Sequence, residues 1–178
     1  VLADLEGASE ALVFSSGIAA CTAPFHALKR GEQALVSKTI YHGVLSFIDE
    51  FAESWGISID YFETGHLQDL EEKLVKGKTR LVWLETPANP SWVVTDLEAA
   101  AKLAHEAGAL LAVDSTAATP VLTRPLELGA DLVCHSATKY LNGHSDVIAG
   151  FLAVREPSLE IWRRIREHRK FGGAILGS

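Results

Sequence analysis

Thr95–Thr116, TDLEAAAKLAHEAGALLAVDST, decides the architecture. Thr95 or Asp96 can accept hydrogen bonds from the open amides of a first helical turn. Leu97, Ala100, Ala101, Ala104 and His105 recur on one helical face, and Gly108 suits the left-handed residue that closes a helix. Residues 109–113 are then an unbroken apolar run, too short for a second helix, that ends on Asp114. A helix feeding a strand buried on both sides is half of a βαβ unit, and it predicts a parallel sheet covered by helices.

The same alternation extends in both directions. Apolar, often β-branched runs at 11–14, 34–37, 57–62, 80–85, 110–114, 132–135 and 149–154 read as strands, with helices between most of them. Gly31, Gly56, Gly65 and Gly77 punctuate the joints, and Asn89-Pro90 marks a turn after the fourth strand. The expected fold is therefore α/β, a mostly parallel seven-stranded sheet with helices on both faces.

Composition narrows the function. With 48% hydrophobic and 22% charged residues, the 178-residue chain can bury one domain-sized core. Its net charge of −7 argues against general affinity for nucleic acid or anionic membrane, which leaves a small molecule as the expected partner. Two cysteines, Cys21 and Cys134, make neither a disulfide framework nor a zinc motif, so a cytoplasmic location is expected. No signal peptide or membrane span is apparent. The chain opens at Val1 without an initiator Met, and we read it as a fragment.

In an open parallel sheet, ligands bind outside the carboxyl ends of the strands, so the polar residues there carry the chemistry. Four clusters qualify: Ser15-Ser16-Gly17, Glu85 to Asn89, Asp114-Ser115-Thr116 and Ser136 to Lys139. Asp114 either caps its own turn through Ser115 and Thr116 or holds a cationic nitrogen of a cofactor. Residues 135–140, HSATKY, place Ser136, Thr138 and Lys139 together, as turn formers and a solvated lysine or as an anion pocket beside a partly desolvated amine. Ser15-Ser16-Gly17-Ile18 turns a strand into a helix whose first amides can bind phosphate, although a plain Ser cap reads the same way. Tyr41 is either a half-buried core aromatic or a ring that stacks on a planar cofactor.

Together these stretches resemble the pyridoxal 5'-phosphate (PLP) enzymes of transsulfuration. That Cys/Met-metabolism family comprises cystathionine gamma-synthase, the cystathionine lyases, methionine gamma-lyase and the O-acylhomoserine sulfhydrylases. The segment 136–150, SATKYLNGHSDVIAG, is similar to the family's PLP-lysine signature, and 113–120, 85–90 and 15–20 match further blocks in order. The resemblance implies the large domain of a fold type I, aspartate aminotransferase-like PLP enzyme. It implies that Lys139 carries PLP as a Schiff base and that Asp114 pairs with the ring nitrogen. Ser16, Gly17 and Ile18, with Ser136 and Thr138, would surround the phosphate, Tyr41 would stack on the ring, Asn89 would lie near its hydroxyl, and Thr116 would join the site. Lys139 and Tyr41 are the implied catalytic pair.

Ile18, His42, Val44 and Ser115 depart from the common family pattern, and Gly43 stands where methionine gamma-lyases resemble one another in carrying Cys. An upstream arm and a C-terminal small domain are expected in family members, so 1–178 reads as the PLP-binding large domain alone. The implied reaction is gamma-replacement or elimination on a homoserine ester or cystathionine, in methionine biosynthesis or cysteine metabolism, by a homodimer or homotetramer. The alternatives are a PLP-dependent aminotransferase or desulfurase, or a truncated module that binds PLP without turnover. His135, His144 and Asp146 lack a ligand spacing for metal, and the run Arg163, Arg164, Arg166, Arg169 and Lys170 reads as a solvated helix face or subunit contact.

Overall fold

The computed structural model describes residues 1–177. The elements in chain order are α1 (Leu2–Glu6), β1 (Glu10–Phe14), α2 (Gly17–His26), β2 (Gln33–Ser37), α3 (His42–Trp55), β3 (Ser58–Phe62), α4 (Leu67–Lys73), β4 (Thr79–Glu85), α5 (Leu97–Ala107), β5 (Leu110–Asp114), α6 (Thr119–Leu122), β6 (Leu132–His135), β7 (Gly150–Val154) and α7 (Glu160–Phe171). The seven strands form one sheet in the order β1-β7-β6-β5-β4-β2-β3. All neighbours run parallel except the two pairings made by β7, to β1 and to β6. A parallel return needs a crossover, usually a helix, and no helix separates β6 from β7, so the chain comes back antiparallel beside the strand it has just left.

The decisive stretch folds as its pattern demands. Asp96 caps α5 by accepting from the Ala99 amide at 3.0 Å, and Gly108 closes the helix with φ at 80°. Alternate residues along the strands then serve opposite cores. Trp83, Ala112, Leu132 and Leu152 face one side, where α2, α3 and α7 supply Phe25, Ile48, Trp162 and Ile165. Val82, Leu84, Val113 and Val133 face the other, packed by Leu70 of α4 and by Leu97, Ala100 and Ala104 of α5. The helices do cover both faces.

The basic helix α7 keeps Arg163, Arg166 and Lys170 exposed, while two of its arginines also reach β1. Arg166 pairs with Glu10 at 3.2 Å, Arg169 donates to the Val13 carbonyl at 2.6 Å, and Trp162 is fully buried. His168 on the same helix stacks on His26 of α2 at 4.0 Å between ring centroids, with Phe47, Phe51 and Trp55 of α3 around His26. Burial first and the facing His168 second push the His26 imidazole down to about 4, and burial also lowers His168. Between its ordinary value of 6.5 and about 4, the unfolded chain binds a proton at His26 that the folded chain refuses. Stability is thus fully present above that range and declines as the pH falls through it, by on the order of 2 kcal/mol after allowance for partial exposure. Urea unfolding at pH 7 and near pH 4.5 should record the decline. In His26→Phe, which keeps a ring in the stack, the decline should flatten, and an equal decline there would show that other groups cause it.

Candidate functional site

The carboxyl ends of β1, β2, β4, β5 and β6 share one edge of the sheet, and the antiparallel β7 begins there. This edge gathers the polar clusters that were dispersed in sequence. Register puts Asp114 directly beside Glu85 of β4 on one side and Cys134 of β6 on the other.

Asp114 ends β5 with only 6% of its surface exposed. Its Oδ1 accepts from the Thr116 amide at 3.0 Å and the Thr116 hydroxyl at 2.6 Å, while Oδ2 lies 3.5 Å from Cys21 Sγ. Cys21 and Cys134, 3.2 Å apart at sulfur and both buried, form a thiol floor beneath the carboxylate. Both thiols are pushed above their ordinary range, Cys21 chiefly by the Cys134 contact and Cys134 chiefly by burial. They are therefore packing groups rather than nucleophiles. Thr116 Oγ1 also accepts from the Ser136 amide at 2.8 Å, which ties the end of β5 to the end of β6.

Helix α2 closes on this edge from above. Ser16 is its N-cap, accepting from Ala19 at 3.2 Å, and the Gly17 and Ile18 amides have no partner among the described residues. Two glycines permit the approach. A Cβ on Gly17 would lie 2.6 Å from Ser136 Oγ, and one on Gly150 would lie 2.0 Å from the Ser16 carbonyl oxygen. The first turn of a ten-residue helix thus abuts the Ser136 hydroxyl, and open amides beside a hydroxyl make an anion cradle.

Glu85 holds two loops to the same edge. Its Oε2 accepts from the Tyr41 amide at 2.6 Å and its Oε1 from the Asn89 amide at 3.0 Å. Burial first, and the neighbouring Asp114 second, push its carboxyl up to about 7 against the pull of those two amides. Tyr41 itself is 55% exposed, its ring lying over Gly43, where a Cβ would meet Cε1 at 2.7 Å, so it is not a core aromatic. Asn89 is exposed beside it.

One hydroxyl does something other than the resemblance implied. Thr138 donates to the Ala149 carbonyl at 3.1 Å and accepts from the Ala149 amide at 3.0 Å, so its proton is not free for an anion. Thr116 gives its proton to Asp114, the turn cap that the sequence offered as one reading of Asp114. Both threonines hold the frame of the site. Lys139, open in the sequence between a solvated lysine and a partly desolvated amine, is exposed on a turn closed by its own amide donating to the Ser136 carbonyl at 3.0 Å. Glu85 stood among the strand-end polar residues in the sequence, as an acid closing the apolar run 81–84, but no individual role was read from it there.

The histidines near the signature are occupied structurally. His135 meets Glu6 at 2.5 Å in a buried pair that joins α1 to β6, and His144 Nδ1 lies 2.7 Å from the Asn142 carbonyl. No group of three or more potential metal ligands occurs among the described residues. Nor is any helix among them long and apolar enough to cross a membrane.

These donors form a coherent set. Gly17, Ile18 and Ser136 offer an anion site, and an exposed primary amine follows on the same turn. Asp114 and Glu85 put two buried carboxyls side by side with no cationic side chain acting on Glu85. Such a pair calls for a cationic group from a ligand. A phosphorylated aldehyde with a protonated ring nitrogen satisfies all three demands, so the residues present fit PLP.

Comparison with known proteins points the same way. Residues 1–177 match the family model described as Cys/Met metabolism PLP-dependent enzyme. Among curated relatives, cystathionine beta-lyase MetC of Bacillus subtilis is 38% identical over 176 residues, covering 99% of this chain and 44% of that protein. L-methionine gamma-lyase of Porphyromonas gingivalis is 44% identical over 157 residues, 87% of this chain and 39% of its own length. The cystathionine gamma-synthase/O-acetylhomoserine (thiol)-lyase of B. subtilis is 39% identical over 175 residues, 98% and 46%. The crystal structure of metB from Corynebacterium glutamicum superimposes with a TM-score of 0.91 at 38% identity, covering 98% of this chain and 45% of that one. The chain therefore spans less than half the length of these relatives.

Proposed function

This chain belongs to the Cys/Met metabolism PLP-dependent enzyme family, and from that premise we propose that it builds the PLP site of an enzyme that replaces or eliminates the gamma-substituent of a homoserine ester or cystathionine. The reading is supported above all by one arrangement: Asp114 and the Lys139 turn close adjacent parallel strands at a single edge, against the open first turn of α2.

When bound, PLP supplies an electron sink that makes a proton on the carbon next to the substrate amine removable. The chain's own residues do the rest. Gly17, Ile18 and Ser136 hold the phosphate, with Ser16 keeping the helix end in shape through its cap. Asp114 keeps a proton on the ring nitrogen, and Thr116 keeps Asp114 aimed. Tyr41 would cover the ring face and Asn89 would lie near the ring hydroxyl, both from turns whose amides Glu85 holds. Lys139 is the residue that would hold the cofactor covalently through its amine, and its Nζ, when free, would be the base that takes the Cα proton. Tyr41 assists departure of the gamma-substituent. A cytoplasmic homodimer or homotetramer acting on a small amino acid completes the proposal.

Product analysis tests it. Protein supplied with PLP should release a keto acid and ammonia from cystathionine or an O-acylhomoserine, or form a new thioether when cysteine is added. Products that retain the gamma-substituent would indicate transamination instead and overturn the assignment.

A further inference from the structure

We propose that Glu85 is a positioning residue, the clasp that fixes the Tyr41 turn and the Asn89 turn to the end of β4 and so sets where both stand above the ring site beside Asp114. Its functional half rests on the reading of the site just given. Its structural half stands on this chain alone.

Glu85 is 7% exposed, and each of its oxygens accepts from the backbone of a different connection. Tyr41, at 2.6 Å, follows β2 and begins α3, and Asn89, at 3.0 Å, follows β4. Neither donor has another acceptor among the described residues, so one side chain satisfies a helix N-cap amide and a loop amide together. Only a carboxylate does this. A glutamine at the same place has one accepting oxygen and one donating nitrogen, so it would keep one loop and present N–H to N–H at the other.

The location is costly for a merely structural residue. The facing group on β5 is Asp114, another acid, and the flanking loops bring only amides, so among the described residues no cationic side chain acts on Glu85. That cost is reasonable if the two loops must be held at a site where a cationic group later arrives. The upward shift of the Glu85 carboxyl to about 7 is consistent with the same crowding.

Amide hydrogen exchange followed by NMR tests the clasp without any ligand. In wild-type protein the Tyr41 and Asn89 amides should exchange slowly for loop positions. In Glu85→Gln at least one, and in Glu85→Ala both, should exchange at least about tenfold faster, while strand amides of β4 and β5 stay protected as the control for folding. Equal rates at both amides in all three proteins would overturn the proposal.

Titration with PLP, read by visible circular dichroism, tests the consequence. Glu85→Gln should bind at least about tenfold more weakly than wild type, with an altered visible signal at saturation. Affinity and signal both equal to wild type would overturn the positioning role. A wild-type protein that takes up no PLP would instead sink the cofactor reading, and the exchange rates would still decide whether Glu85 clasps the loops.

Discussion

Lys139→Ala is expected to abolish the visible absorption that wild-type protein gains with PLP, and to lower turnover of a sulfur amino acid by about a thousandfold or more. The fold should not notice. Lys139 is exposed on a turn held by backbone hydrogen bonds, and loss of an exposed, unpacked side chain usually changes stability by less than about 0.5 kcal/mol. What disappears is the exposed primary amine on the turn beside Ser136, which in the proposed reaction serves both as nucleophile and as base. Lys139→Arg should fail almost as completely, because a guanidinium does not give up its proton to become either. Absorption spectra and turnover of the three proteins, with thermal unfolding alongside, decide the matter. An unchanged band in Lys139→Ala would remove this residue from the chemistry.

Asp114→Asn should move stability and activity in opposite directions. The amide oxygen can still accept from the Thr116 amide and hydroxyl, so the turn after β5 is kept. The buried negative charge beside Glu85 is gone, and a gain of about 1 kcal/mol is expected in urea unfolding near neutral pH. Glu85, held up to about 7 partly by Asp114, should fall toward its ordinary range. Activity should drop by about a hundredfold or more, since a neutral amide no longer keeps the ring nitrogen protonated. Wild-type turnover in this variant would exclude an electrostatic role for Asp114. A loss of stability would show that the two acids do not oppose each other as their register implies.

These predictions separate two kinds of information. The strands were legible because each is a short apolar run bounded by Gly or a polar stop, and 110–114 and 132–135 occur with the limits their pattern implies. Helix α5 was legible from its cap, its face and its closing glycine. The antiparallel entry of β7 was not, since a strand pattern carries no direction and only the absence of a helix after β6 forces it. The partners of individual hydroxyls were equally hidden. Thr138 and Ser136 look alike in HSATK, yet Thr138 is committed to Ala149, whereas Ser136 lies against Gly17.

What the sequence determined by itself is periodicity and punctuation: where chain segments bury a face, where they turn, and therefore which polar residues end strands. Those are local properties, set by the spacing of apolar side chains within a few turns or pleats. Tertiary structure alone decided who meets whom across long stretches of chain. It set Glu85 beside Asp114, joined Glu85 to Tyr41 and Asn89, laid two thiols under the carboxylate and let two glycines admit the end of α2. The reason is that a hydrogen bond or a close contact depends on distances of a few ångströms between residues far apart along the chain, and the register of the folded sheet is what sets those distances.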